Sequence, residues 1–291
     1  MENISGPFRG SEALAAGDIT RGRLAGPRTT KLYPNVHAFT ECVAAPEDLI
    51  GRAREAVLYV RGAPPVVGGY AAAEVHGADC APIGVPVDLV VGKRAVRARP
   101  GLIVRREVLG PDDVVEKDGF LVTRPERTAW DLVRRLGFTE GVVALDALAR
   151  VGEFDPAVLL DRPPGARGCR RIVAAVEASD PRAESRPETI MRLTMVEHHV
   201  PTPTPQLEVD NEYGAFVARV DFGWDEFRVA AEYQGDQHRM DRRQWRRDQA
   251  RTADLAACGW VMVPWTGDDL LNPARFVRRL LSTLVQRGHV L

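Results

Sequence analysis

The stretch Arg219-Val-Asp221-Phe-Gly-Trp224-Asp-Glu-Phe-Arg228-Val-Ala-Ala-Glu232-Tyr-Gln234 holds two strand-like runs, one ending at Asp221 and one spanning 229–234, on either side of a polar turn. A four-residue hairpin connection at Asp225–Arg228 sets Asp221 directly opposite Glu232. Opposed residues on one sheet face have Cβ atoms about 4.5–5.5 Å apart, near enough for two carboxylates to share one divalent cation. Gln234 lies on the same face as Glu232, because strands repeat every two residues. Such a pair is costly on its own: like charges repel, and Ala230, Ala231 and Tyr233 solvate Glu232 poorly. The compensating charge is either a bound metal ion or an arginine such as Arg219.

Reading outward, Ser185-Arg-Pro-Glu188 opens a helix that runs to about His199. Glu188 has two readings that do not exclude each other: a third acid of the site, or the glutamate of a capping box. A strand at 206–209 precedes the pair. After it come a long basic helix over 238–258, an apolar strand over 260–264 and an amphipathic helix over 273–286. The order is helix, three strands, helix, strand, helix. Arg239, Arg243, Arg246 and Arg247 share one face of the basic helix, a stripe suited to phosphate contacts or to pairing with Asp241 and Asp248.

Upstream, Ser11–Ala16 and Thr20–Leu24 read as two short helices joined at Gly17, followed by a strand pair turning at Pro34-Asn35: a small winged-helix-like segment over 1–40. Residues 41–181 read as a mixed sheet covered by helices, with strands at 85–91, 102–106 and 120–123. Thr123-Arg-Pro-Glu126 gives a capping-box start for a helix to about 136. Residues 178–186 are almost devoid of apolar side chains, which places a linker near 181 and a last domain at 182–291. The fold class expected is α/β (α+β).

The 291 residues, 45% hydrophobic and 27% charged, belong to an ordinary globular chain, which excludes wholesale disorder. Thirty-nine bases against 40 acids exclude a protein that coats nucleic acid by bulk charge, so a DNA contact has to be a local patch. The apolar runs are too short to span a membrane and the first residues lack the pattern of a secretory signal, so a cytoplasmic location is expected. Cys42, Cys80, Cys169 and Cys258 lack metal-ligand spacing and read as scattered buried thiols. His37 and His76 read as core or turn histidines.

Glu188, Arg219-Val-Asp221-Phe, Ala231-Glu232-Tyr-Gln-Gly235-Asp-Gln-His238-Arg, Arg247-Asp248, Gly259-Trp260 and Thr266 together resemble bacterial proteins with a Vsr-like domain of the PD-(D/E)XK nuclease superfamily. The resemblance covers about 182–287. It implies a helix-flanked mixed sheet in which Asp221 and Glu232 bind magnesium with Glu188 assisting. Where that superfamily usually has lysine, this chain has Gln234, which supplies no positive charge to activate a water. His238 is placed to substitute for it, or else is a helix-terminal residue without chemistry.

Val66-Val-Gly-Gly-Tyr-Ala-Ala-Ala-Glu-Val-His76-Gly, Pro86-Val-Asp-Leu-Val-Val91 and Phe120-Leu-Val-Thr-Arg-Pro-Glu-Arg-Thr-Ala-Trp-Asp131-Leu resemble AbiEi-type antitoxins, DNA-binding autoregulators of type IV toxin–antitoxin pairs. That resemblance implies operator contacts from Arg21, Arg23, Arg28 and Lys31, with DNA and a cognate toxin or other protein as partners. The two resemblances combine as a magnesium-dependent endonuclease carrying an antitoxin-like DNA-binding region. The alternative is a non-catalytic DNA-binding regulator whose nuclease fold has lost activity with its lysine.

Overall fold

A short strand, two short helices and a hairpin open the chain: β1 (Phe8–Arg9), α1 (Gly10–Ala16), α2 (Arg21–Leu24), β2 (Thr29–Tyr33) and β3 (Val36–Phe39). The computed structural model describes residues 4–162, 165–235 and 242–290, without the side chains of 242–246 and 248. Gly17, at φ 79°, closes α1 in the left-handed region that glycine adopts without steric cost, and the Thr20 side chain accepts the Arg23 N–H at the start of α2. The strands form an antiparallel sheet in the order β1-β3-β2. Arg9 ties this module to the following segment, donating to the carbonyls of Leu58 at 2.9 Å and Val60 at 2.8 Å. Tyr33 stacks on Tyr59 at 5.4 Å.

The chain divides into two compact units, 1–176 and 177–291. The rest of the first is a five-stranded mixed sheet, β4 (Val66–Gly68), β5 (Val87–Val90), β6 (Leu102–Arg105), β7 (Val114–Lys117) and β8 (Phe120–Thr123), in the order β6-β5-β4-β8-β7. α3 (Leu49–Val57), α4 (Gly69–His76), α5 (Pro125–Arg135) and α6 (Phe138–Gly152) accompany it, and α7 (Arg170–Ala178) leads out of the unit. Val67, Ala71, Ala72, Leu89 and Val122 lie in its core with no solvent exposure. The expected capping box at the start of α5 is absent: Thr123 belongs to β8, and its hydroxyl meets Thr128 Oγ1 at 2.6 Å rather than the helix backbone. Only Cys80 of the four free thiols is buried; the other three are partly exposed. His76 is hydrogen-bonded to the Thr123 carbonyl at 2.8 Å.

A chain of ion pairs runs through the interior of this unit. Asp131, with a side chain that is 0% exposed, accepts from Arg105 at 2.8 Å, Arg127 at 3.1 Å and Arg134 at 2.8 Å. Arg105 also meets Asp88 at 2.7 Å, and Arg127 meets Glu107 and Asp113. Burial alone would raise the pKa of Asp131, yet Arg105 and Arg127 hold it below the ordinary carboxylate range. Trp130 supplies an aromatic face to the same group, with the Arg134 guanidinium 3.7 Å from its ring centre. Gly68 is needed beside the network, since a Cβ there would lie 2.3 Å from Arg105 Nη2.

The second unit contains α8 (Arg186–Glu197), β9 (Thr204–Asp210), β10 (Phe216–Trp224), β11 (Val229–Gln234), α9 (Arg242–Ala257), β12 (Val261–Thr266), α10 (Gly267–Leu271) and α11 (Ala274–Gln286). Its sheet runs β12-β11-β10-β9, with β11–β12 parallel and the other pairs antiparallel. One core gathers Met191, Met195, Phe222, Trp265 and Phe276; a second gathers Val220, Ala230, Leu255 and Trp260. The sheet is thus buried on both faces, which accounts for the nearly continuous apolar run 229–231. Among the described residues no helix is long and apolar enough to cross a membrane.

Candidate functional site

The β10–β11 turn is a short 3-10 segment, Asp225–Phe227, closed by Arg228 in the left-handed region at φ 51°. The ladder beyond it pairs Trp224 with Val229, Gly223 with Ala230 and Phe222 with Ala231. The next step along that register is Asp221 opposite Glu232. The backbone pairing stops short of it, and the Tyr233 N–H donates instead to Asp221 Oδ2 at 3.0 Å. A carboxylate therefore enters the ladder where two strands part.

Two acids, Glu188 and Glu232, act on Asp221 here. Glu188 and Glu232 are only 6% and 7% exposed. Burial pushes the pKa of Asp221 up and the charges of Glu188 and Glu232 push it further. The Tyr233 N–H and the charge of Arg251 draw it back, and it comes to about 7.

The Glu188 charge acts on Asp221, and its carboxylate is tied to the start of α8: Oε1 accepts from Ser185 Oγ at 2.7 Å, and Oε2 accepts from the Glu184 N–H at 2.8 Å. Oε2 also accepts from Gln206 Nε2 at 2.9 Å. Arg219 is not the neutralising arginine; it pairs with Glu184 at 2.9 Å. That position belongs to Arg251 of α9, which donates through Nη2 to Glu232 Oε2 and through Nη1 to the Arg219 carbonyl at 3.2 Å.

Gln234 is exposed at the end of β11, in register with Thr266. His238 and Arg239 lie outside the described residues. Arg243 and Arg246 belong to α9 without described side chains, and Arg247 is exposed on the same helix. In the first unit Arg21 and Arg23 stand on α2, Arg28 just before β2 and Lys31 within it, all four exposed. Arg23 lies over the Phe39 ring at 5.1 Å.

Magnesium prefers an octahedral oxygen shell at about 2.0–2.1 Å and keeps several waters. The donors as folded do not suit it. One Glu232 oxygen faces a guanidinium, and both Glu188 oxygens accept hydrogen bonds from the α8 cap and Gln206. Among the described residues no three His, Cys, Asp or Glu side chains are grouped to hold a metal ion. Sequence reasoning missed Arg251 as a counter-ion and Gln206 as a partner of Glu188. The available signal was Leu255, one turn after Arg251: an apolar residue at i+4 turns that face of the helix toward the sheet.

Residues 66–178 match the family model of the AbiEi antitoxin C-terminal domain, which covers the five-stranded sheet, α4 to α6 and the buried ion-pair chain. Two relatives from Mycobacterium tuberculosis are each 35% identical over 195 residues, covering 65% of this chain and 71% of the relative. They are Uncharacterized protein MT2308 of strain CDC 1551 / Oshkosh and Uncharacterized protein Rv2248 of strain ATCC 25618 / H37Rv. The chain belongs to their family. The antitoxin-domain match stops at residue 178, so Asp221, Glu232 and Arg251 all lie outside it. Arg105, Arg127 and Asp131 lie inside, which makes the buried network a feature of the AbiEi-like part.

Proposed function

We propose that this chain is an antitoxin-like, DNA-binding regulator that contacts DNA through residues 8–39 and presents its AbiEi-like part to a protein partner, such as a cognate toxin. The observation that carries the reading is the AbiEi antitoxin domain at 66–178, reached from a module of two short helices and a hairpin. Supporting it, that module exposes Arg21, Arg23, Arg28 and Lys31, while acidic residues are sparse: Asp18 stands in the α1–α2 turn and Glu12 pairs with Arg9. Exposed cations on a small module can contact phosphates, and each contact releases a counter-ion, so affinity falls as salt rises.

The experiment is a titration of the full chain against its own promoter at several salt concentrations. Arg21→Ala, Arg28→Ala and Lys31→Ala should each weaken binding and flatten the dependence of log Kd on log salt by up to about one. A full chain that does not bind this DNA at low salt would defeat the proposal. This reading gives the second unit no hydrolytic role. Nicking of supercoiled plasmid in magnesium or manganese, lost in Glu232→Ala, would replace it with the endonuclease that the 182–287 motifs resemble.

A further inference from the structure

The Asp221–Glu232 pair presents a question of charge balance. Asp221 and Glu232 stand one step beyond the last paired residues of β10 and β11, and Glu232 and Glu188 both act on Asp221. Both glutamates are more than nine-tenths buried. Acids gathered this way need a cation or a proton, and elsewhere such a pair holds a divalent ion.

Here a cation is already in place and is held from two sides. Arg251 stands on α9 one turn before Leu255, which packs with Val220 and Ala230 of the sheet. Its guanidinium bonds Glu232 through Nη2 and the Arg219 carbonyl through Nη1, and its charge also acts on Asp221. Both anchors come from the strands that carry the acids or from the acid itself. A fork fixed in this way presents a charge in a set geometry, which a solvated side chain does not. Glu188 is held by hydrogen-bond donors of its own.

We infer that Arg251 takes the place of a divalent cation in the second unit, so that the Asp221–Glu232 pair becomes a metal site only when this arginine is removed. The guanidinium occupies Glu232 Oε2, and two positive charges at one carboxylate repel each other. The inference concerns the second unit alone and stands whether or not the first unit binds DNA.

The test uses the full chain with manganese alone as the probe, its free concentration read from the electron paramagnetic resonance signal of the hexaaqua ion. Wild type should leave the signal unchanged. Arg251→Ala should bind about one equivalent, at least about ten-fold more tightly than wild type, because the guanidinium no longer competes with the ion for Glu232. The double variant Asp221→Asn, Arg251→Ala should lose that gain. Thermal melts supply a readout that does not depend on the metal signal. Arg251→Ala should be stabilised by millimolar guanidinium or by manganese in competition, and wild type by neither. Arg251→Lys, which keeps a charge and removes the fork, covers the case in which the alanine variant does not fold, and it should remain blind to manganese. Wild-type binding of manganese that Asp221→Asn abolishes would overturn the inference. So would a folded Arg251→Ala with no gain over wild type.

Discussion

Replacing Asp221 by asparagine should stabilise the second unit at pH 8 and leave it nearly unchanged at pH 4. In the folded chain this carboxyl keeps its proton up to about pH 7, while its ordinary pKa is 3.8. Between these values the folded state binds more protons than the unfolded state, so stability falls as pH rises through the window and levels off above it. About three pH units at about 1.4 kcal/mol each give a cost of up to about 4 kcal/mol above pH 7. Asparagine keeps a side-chain oxygen for the Tyr233 N–H and brings no charge to Glu188 or Glu232. For a unit of this size the gain corresponds to a rise in Tm on the order of 10 °C. Calorimetry of the full chain in EDTA, wild type against Asp221→Asn from pH 4 to 8, isolates the site because titrations remote from it are common to both. Curves that stay parallel across the range would refute the reasoning, since the difference should grow with pH and saturate near 8.

In the first unit, Asp131→Asn leaves Arg105, Arg127 and Arg134 short of one buried counter-charge. It should destabilise by about 3–5 kcal/mol in a denaturant titration at neutral pH. Because the pKa of Asp131 is held low, its contribution is present above the unfolded pKa and lost as pH falls through the folded one. The gap between wild type and this variant should therefore close on the acid side. Gly68→Ala drives a methyl into Arg105 Nη2 and should cost about 1–3 kcal/mol, measured the same way. Ser185→Ala removes both the α8 cap and one donor to Glu188, and should lower stability by about 1 kcal/mol.

Much of the second unit was legible because its signals are local. The polar turn at 225–228 fixed a register that the Trp224–Val229, Gly223–Ala230 and Phe222–Ala231 pairs display. Ser185 marked the start of α8, and its side chain accepts the Glu188 N–H there. β4 and β7 escaped because three or four residues are too few to show alternation, and β7 is half exposed at a sheet edge. The capping box at Thr123 failed for the opposite reason: the motif was present, but the Thr123 hydroxyl, at the end of β8, is taken by the Thr128 side chain five residues on.

The identity of each charge's partner was the least legible feature, and the physics explains why. Asp88 interrupting the apolar run 86–91 announces a buried carboxylate that must be neutralised. Its partners Arg105 and Arg135 come from positions 17 and 47 residues away, and no local spacing encodes them. Glu232 poses the same problem 19 residues from Arg251. A chain with 36 arginines against three lysines offers many candidates for every buried acid, and the forked, permanently charged guanidinium suits each of them. Both units meet the cost of buried acids with arginine, from a strand and from α5 itself in the first unit and from α9 in the second. In the first unit the acids are over-supplied, five guanidiniums from Arg105, Arg127, Arg134, Arg135 and Arg162 meeting Asp88, Glu107, Asp113 and Asp131. In the second, burial and the charges of Glu188 and Glu232 outweigh Arg251 at Asp221, and its pKa rises instead of falling. That difference in charge supply, more than the difference in fold, makes Asp221 rather than Asp131 the carboxyl that responds to pH near neutrality.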